Sequence, residues 1–252
     1  KAGMDTGAAR RPIVDMPGYV RSLRARMDPT ASILESIHAR ARQAQARVIF
    51  AEGDDNRVLR AAVAYHRSGL GKAIVVGRDS DVSERLAAEG LGDAVRELEI
   101  VNAANTAHLA TYKDFLYRRL QRQGFDPVDI HRLAARDRHV FAALMLAHGH
   151  GDALVTGATR KSAHVLELIN HVFDAKASDG AVGITAVLHK GRIVFIGDTL
   201  VHEWPNEEDL ADIAERGVLV ARGLGIERRV AFLSFSTFGY PVSERATKMH
   251  QA

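Results

Sequence analysis

RVIFAEGDDNRVLRAA, residues 47–62, holds the pattern from which the fold of this protein is first inferred. Residues 47–51 form a short apolar run of the kind that favours a buried strand, and the polar segment EGDDN that follows is typical of a turn. Apolar residues then recur at helical spacing, at Val58, Leu59, Ala62 and Val63. The stretch predicts a strand, a turn and a helix, and AIVVG at 73–77 predicts the next strand.

Strands and helices continue to alternate on the C-terminal side of this stretch. Leu98, Ile100 and Val101 indicate a third strand, and DALVTG at 152–157 indicates a fourth. Helical patterns cover three further segments, residues 106–123, 128–147 and 161–173. Because strands that alternate with helices are joined by right-handed crossovers, the order predicts a mainly parallel sheet.

The pattern changes after residue 182. VGITAVLH (182–189) and RIVFIG (192–197) flank the turn Lys190-Gly191 and predict an antiparallel hairpin. Asn206 is a suitable N-cap for an amphipathic helix whose first turn is acidic. RVAFLSFS at 229–236 is a fully apolar run that predicts one more strand.

We therefore predict a two-lobed α/β protein that divides near residue 150. Residues 1–19, with three Gly, two Pro and no apolar period, are typical of a linker. Residues 20–150 are predicted to form an incomplete first lobe with leading helices and a mainly parallel sheet, and residues 151–252 a second lobe with a mixed sheet. Asp28 followed by Pro29 predicts the start of a leading helix.

Composition restricts the function classes. The 252 residues are 46% hydrophobic and 26% charged, which is typical of a globular protein. The absence of cysteine excludes disulfides, thiol catalysis and cysteine-ligated metals. No apolar run has the length of a membrane span and no secretory signal is recognised, so a cytoplasmic location without a membrane partner is expected. Residues 1–47 are basic, but their arginines are scattered along helical patterns, which favours a solvated helix over a nucleic-acid partner.

Common catalytic motifs are missing. SGLGKA at 68–73 lacks the glycine spacing and the hydroxyl residue of a phosphate loop, and no GxGxxG fingerprint for a dinucleotide occurs. His148 and His150 have no further ligand at a metal-binding spacing, so no metal site is predicted.

Two loops remain as candidate binding sites. In DALVTGATRKS (152–162) a strand leads into a Gly/Thr/Ser loop with two cations before a helix, an arrangement that suits phosphate as well as it suits an ordinary capped turn. SFST at 234–237 ends a strand with three hydroxyls, and alone it favours a capped turn. The candidate residues are Thr156, Gly157, Thr159, Arg160, Lys161, Ser162, Ser236 and Thr237.

These segments together resemble the phosphate acetyltransferase family. RVIFAEGDDNRVLRAA, GDALVTGAT, IVFIGDTLVHEWPNEEDLADIA and RVAFLSFST are similar to successive segments of that family, in one order over residues 45–252. The resemblance implies a fold like that of isocitrate and isopropylmalate dehydrogenases, with a cleft between two lobes and subunit pairing through the second lobe. It also implies that acetyl-CoA or CoA binds.

Two other segments resemble large bacterial malic enzymes, TGAARRPIVD at 6–15 and YKDFLYRRLQRQGFDP at 112–127. In those proteins an acetyltransferase-like module follows a catalytic one, so this chain is expected to be a fragment of such a polypeptide. The resemblance implies an attached NADP-dependent module that decarboxylates malate to pyruvate with NADP and a divalent metal, Mg or Mn. Acetyl-CoA is then expected as an effector.

Departures from the family pattern refine the functional prediction. Leu120 and Glu167 stand where the transferase family is expected to have arginines, and no counterpart of its final Ser-Arg pair and acidic base occurs before Ala252. We therefore predict a regulatory acetyl-CoA-binding domain without transferase activity. An active phosphate acetyltransferase, which would make acetyl phosphate and CoA, and a purely structural oligomerisation domain are the alternatives.

Overall fold

The chain forms two compact units, which are described separately. The sheet unit comprises Arg40–Val182, and the hairpin unit comprises Lys1–Ala39 with Gly183–Ala252. The computed structural model describes residues 19, 20, 23, 27, 29–173, 181–189, 191–234, 240 and 243–252.

The sheet unit alternates strands with helices, as its sequence predicts. Its strands are β1 (Ala46–Phe50), β2 (Gly71–Val76), β3 (Glu99–Val101) and β4 (Ala153–Val155). Its helices are α2 (Asn56–Arg67), α3 (Asp79–Ala88), α4 (Leu109–Leu120), α5 (Pro127–Arg136), α6 (Arg138–Ala147) and α7 (Ser162–Asn170), with short 3-10 helices at Gly92–Arg96 and Gln121–Gln123. Helix α1 (Pro29–Ala44) precedes them and begins at the proline that the sequence indicated.

The four strands form one parallel sheet in the order β3-β2-β1-β4. Val48 of β1 pairs with Ala73 of β2 on one side and with Ala153 of β4 on the other. Successive strand residues point to opposite faces, so Ile49 packs into one buried cluster and Phe50 into another. The first cluster includes α4, α5 and α6, and the second includes α2 and α3. Burial on both faces explains why these strands are almost continuously apolar.

One predicted helical segment is divided. Residues 128–147 contain two helices, because Asp137 has an extended backbone and ends α5. Its carboxylate then accepts hydrogen bonds from the backbone N–H groups of His139 and Val140 and caps α6. Asp competes well for backbone donors in this way, and a break of this kind is therefore favoured at an N-cap.

The predicted boundary near residue 150 is wrong. Strand β4 pairs with β1 in the parallel sheet, so residues 151–173 belong to the same unit as the preceding strands. The compact units divide between Val182 and Gly183 instead. The change from alternating to hairpin pattern at residue 182 therefore marks the boundary better than the loop between α6 and β4 does.

The hairpin unit contains β5 (Ile184–His189), β6 (Arg192–Gly197), α8 (Glu207–Gly223) and α9 (Glu244–Gln251). Strands β5 and β6 are antiparallel, which confirms the predicted hairpin. Helix α8 starts with a capping box: the Asn206 side chain accepts from the Asp209 N–H, and the Asp209 side chain accepts from the Asn206 N–H. The N-cap prediction for Asn206 is confirmed.

The strand predicted at 229–236 is wrong over its described part. Residues 229–234 are irregular, and no described strand of the hairpin unit pairs with them. The mixed sheet predicted for this region is accordingly a two-stranded antiparallel sheet among the described residues. An apolar run becomes a strand only where a neighbouring edge offers hydrogen-bond partners.

None of the helices within the described ranges combines the length and the apolar character that a membrane crossing requires.

Candidate functional site at the carboxyl edge of the sheet

Strands β1 and β4 end side by side, so the loops that follow them begin at the same edge of the sheet. The Ala51 N–H donates to the Val155 carbonyl at 3.1 Å and extends the pairing to the last residue of β4. In parallel α/β sheets ligands bind outside the carboxyl ends of the strands. The loop that joins β4 to α7, residues 156–161, is therefore the candidate site.

Glu52 organises this loop. Its side chain is 0% exposed and accepts hydrogen bonds from the N–H groups of Ala158 and Thr159, each at 2.8 Å, and from the Thr159 hydroxyl at 2.5 Å. Burial raises the pKa of Glu52, but these hydrogen bonds outweigh it and hold the pKa below its ordinary value. Glu52 is therefore an ionised, buried carboxylate at neutral pH.

His139 holds the start of the same loop. Its Nδ1 lies 2.6 Å from the Thr156 hydroxyl oxygen, within hydrogen-bond distance. The ring is fully buried, and its Nε2 has no hydrogen-bond partner among the described residues. Burial lowers the pKa of His139, and the carboxylates of Asp137 and Glu52 oppose this only in part. The imidazole is therefore neutral at pH 7.

Three arginines surround the loop, and each is paired with an aspartate. Arg160 donates to Asp137 at 3.0 Å. Arg138 pairs with Asp54. Arg57 pairs with Asp55 at 2.8 Å, and a nitrogen of the same guanidinium donates to the Ala158 carbonyl at 3.0 Å. A ligand anion must therefore share or replace these aspartates before it pairs with the arginines.

Lys161 and Ser162 begin helix α7. Lys161 is the N-cap residue but its side chain makes no capping hydrogen bond, and it forms no ion pair with any residue of the described ranges. Both residues are exposed. Gly157 has a φ of +93°, in the left-handed region that glycine adopts most readily. The loop thus presents one unengaged ammonium group beside a paired guanidinium.

Leu120 and Glu167 lie in very different surroundings. Leu120 is 1% exposed and belongs to the first buried cluster, which packs between the sheet and helices α4, α5 and α6. This position therefore presents no side chain to a ligand. The Glu167 side chain is 71% exposed on α7 and lies 3.5 Å from His164. The nearby Arg118 is engaged with Asp114 on its own helix.

The eight site residues predicted from the sequence fall into two groups. Thr156, Gly157, Thr159, Arg160, Lys161 and Ser162 lie together in the loop and the first turn of α7. Ser236 and Thr237 lie outside the described residues. The candidate site gains seven residues that the sequence analysis did not single out: Glu52, Asp54, Asp55, Arg57, Asp137, Arg138 and His139.

A second group of polar rings surrounds Tyr112. Its hydroxyl lies 2.5 Å from Nδ1 of His150, and the His108 and His150 rings are 4.3 Å apart between centroids. Burial raises the pKa of Tyr112 to about 12. The Nδ1 of His148 lies 2.8 Å from the Leu144 carbonyl oxygen. Among the described residues no group of three or more His, Asp or Glu side chains is arranged to hold a metal ion.

Comparison with known proteins identifies the family. Residues 32–252 match the family described as phosphate acetyl/butaryl transferase. The chain belongs to this family. Its relatives include a phosphate acetyltransferase of Clostridium acetobutylicum, which is 29% identical over 228 residues, covering 87% of this chain and 68% of the relative.

Other relatives are malic enzymes. The chain is 42% identical over 252 residues to an NADP-dependent malic enzyme of Rhizobium meliloti, covering all of this chain and 33% of that protein. It is 32% identical to an NADP-dependent malic enzyme of Escherichia coli, covering all of this chain and 34% of that protein. The chain therefore spans about a third of the length of these relatives.

Solved structures of phosphotransacetylases share the fold. The phosphotransacetylase of Streptococcus pyogenes aligns with a TM-score of 0.78 at 23% identity, covering 88% of this chain and 67% of that one. The EutD phosphotransacetylase of Staphylococcus aureus aligns with a TM-score of 0.76 at 22% identity, covering 88% of this chain and 66% of that one. An α/β fold with a parallel sheet and a small antiparallel sheet is common to them.

Proposed function

We propose that this chain is the acetyl-CoA-binding regulatory module of a polypeptide whose other part is an NADP-dependent malic enzyme. The names of the relatives support an attached NADP-dependent malic enzyme. We expect that part to oxidise and decarboxylate malate to pyruvate with NADP and Mg or Mn. Membership of the transferase family supports a CoA ester as the ligand. Regulation follows if acetyl-CoA binds one conformational state of the polypeptide better than another.

The exposed carboxylate of Glu167 is the observation that carries this proposal. It lies on α7, the helix that begins directly after Lys161, at the position where the family resemblance implies a phosphate-binding arginine. Transfer of acetyl from CoA to phosphate brings an anion against a carbonyl that gains negative charge, so cationic donors must stabilise it. A carboxylate there repels phosphate. Binding of a CoA ester through the cations of the loop remains compatible with this charge.

Isothermal titration with acetyl-CoA tests the binding. We expect the unaltered chain to bind, and the double variant Arg160→Ala, Lys161→Ala to bind about tenfold to a hundredfold more weakly, because charge-assisted contacts to phosphate are lost. Arg132→Ala is the matched control, since Arg132 is an exposed arginine of the same unit that pairs with Asp129 on its own helix. Equal affinities for the double variant and the control would exclude the loop as the binding site.

An active phosphate acetyltransferase is the second candidate function, supported by the family match. Release of CoA from acetyl-CoA in the presence of phosphate measures it. We expect no turnover, because loss of two cationic donors typically costs on the order of 10⁴ in rate. Turnover near 10 s⁻¹, which is about that of a typical enzyme, would establish the transferase instead.

We also propose that the chain forms a homodimer or a larger homo-oligomer through the hairpin unit. Large apolar side chains of this unit are exposed on β6, on α8 and in residues 229–234: Val194, Ile196, Leu219, Val220, Val230, Phe232 and Leu233. An apolar surface of this kind is typical of subunit interfaces. Light scattering at micromolar concentration should give a mass above the 27.5 kDa of one chain. Oligomerisation without acetyl-CoA binding would favour a purely structural domain.

A further inference from the structure

The loop of the candidate site, residues 156–161, already binds an anion, which is the carboxylate of Glu52. We propose that the Glu52 carboxylate occupies an anion-binding position formed by the backbone N–H groups of Ala158 and Thr159. Glu52 thereby acts as a positioning residue for the two cations that come next in the loop, Arg160 and Lys161. The proposal concerns the loop itself and holds whichever ligand binds there.

Three donors converge on the Glu52 carboxylate. One oxygen, Oε2, accepts from the Ala158 N–H, and the other, Oε1, accepts from the N–H and the hydroxyl of Thr159. Successive backbone N–H groups ahead of a helix are the arrangement with which proteins bind phosphate and carboxylate ligands. Here both amides are already occupied by an internal carboxylate, so they are not available to an external anion.

The rest of the contacts secure this arrangement. The Glu52 side chain is fully buried, so water does not replace it easily. Arg57 donates to the Ala158 carbonyl, and His139 is hydrogen bonded to Thr156, so the loop is tied on both sides of Gly157. Gly53, next to Glu52, approaches β2 so closely that a Cβ would lie 2.6 Å from the Val76 carbonyl oxygen. The backbone that carries Glu52 is therefore held against the sheet.

The consequence concerns how this loop meets a ligand. Because the amides of Ala158 and Thr159 are satisfied internally, they do not contact a ligand phosphate, and the side chains of Lys161, and of Arg160 when it exchanges its contact with Asp137, become the main charged contacts. Because the loop is ordered before the ligand arrives, binding does not incur the entropic cost of ordering it. This differs from a phosphate loop, in which the backbone amides provide most of the contacts.

Thermal unfolding of Glu52→Ala in the full chain tests the proposal. Truncation removes the buried acceptor of two amides and a hydroxyl and leaves a cavity in its place, so we expect the Tm to fall by about 5–10 °C. Sodium formate or sodium acetate, which restore a small carboxylate to the vacated space, should then raise the Tm of the variant by about 2 °C or more above sodium chloride at equal ionic strength. The unaltered protein should show no such difference between the salts.

Asp126→Ala is the matched control. The Asp126 carboxylate also accepts from two backbone amides, of Val128 and Asp129, but it is exposed, so water replaces it and no carboxylate-specific recovery is expected. Equal responses of the two variants to formate would overturn the proposal. If Glu52→Ala does not fold, Glu52→Gln decides: hydrogen–deuterium exchange of peptides covering residues 157–160 should be faster than in the unaltered protein, and unchanged exchange would overturn it.

Discussion

The sheet unit buries its apolar residues within itself, whereas the hairpin unit leaves most of its own exposed. In the sheet unit both faces of a four-stranded parallel sheet are covered by helices, and two clusters of buried side chains result. In the hairpin unit only Ile213 and Ala221 are buried apolar residues among those described. The difference makes the hairpin unit the part to which we propose that a partner subunit binds.

The two units also share one structural feature. Each holds a loop with a buried carboxylate, Glu52 in the sheet unit and Asp198 in the hairpin unit. Asp198 accepts from the backbone N–H groups of Gly183, Leu200, Val201 and His202 and from the His202 ring. Burial raises the pKa of Asp198, but these hydrogen bonds hold it below its ordinary value. Polar organisation is therefore alike in both units, and apolar burial distinguishes them.

The largest expected effect on stability comes from replacing one leucine by alanine in each unit. Leu144 is 0% exposed on α6, and Leu233 is 84% exposed. Leu144→Ala should cost about 2–5 kcal/mol of unfolding free energy, because it leaves a cavity in a closed core, while Leu233→Ala should change it by less than about 0.5 kcal/mol. Urea denaturation measures both. A large cost for Leu233→Ala that depends on protein concentration would show that oligomer formation buries this residue.

Lowering the pH is expected to have an intermediate effect on stability. The pKa of Glu52 lies below its ordinary value, so its ionised form contributes stability above that ordinary value, and this contribution is lost as pH falls through the ordinary value towards the folded one. Glu52→Gln should therefore lower the Tm at pH 7, and its difference from the unaltered protein should shrink as the pH falls below that ordinary value. Circular dichroism melts across this range measure the difference. Asp198→Asn should behave alike, and a Tm difference independent of pH in either variant contradicts the assignment of an ionised carboxylate.

The smallest expected effect is a gain in the hairpin unit. Gly217 lies inside α8, and an added Cβ would have no heavy atom within 4 Å. Gly217→Ala should raise the free energy of unfolding by about 0.5–1 kcal/mol, because alanine loses less backbone freedom in a helix. Gly53→Ala in the sheet unit is the contrasting variant, since its Cβ would meet the backbone of β2. Chemical denaturation compares them, and a loss in both would mean that α8 is covered in solution.

Local pattern was sufficient to predict the six described strands and most of the helices, but it also predicted a strand at 229–236 that is wrong over its described part. The runs at 47–51 and 73–77, the hairpin around Gly191 and the cap at Asn206 are confirmed because each depends on neighbours in the chain. The break at Asp137 was missed, since an aspartate within a helical pattern is recognisable as a cap only when its backbone leaves the helix.

The candidate site was predictable only in part. Its loop was recognisable from the glycine, threonine and cations that follow an apolar strand, but its organising residue was not. Glu52 was assigned to a polar turn, because an acidic side chain after a strand is usually solvated. Its burial depends on amides 106 and 107 residues further along the chain, which no local pattern indicates.

Residue order alone therefore established the alternation of strands and helices, the hairpin and the family, because periodicity, caps and a series of similar segments are properties of the linear chain. Which strands lie together was decided by tertiary structure: β4 joins β1 across about a hundred residues, and this pairing moves the unit boundary to residue 182. Tertiary structure also decided that Glu52 is buried and that residues 229–234 do not form a strand. Burial and strand pairing require partners, and partners distant in sequence come together only in the folded chain.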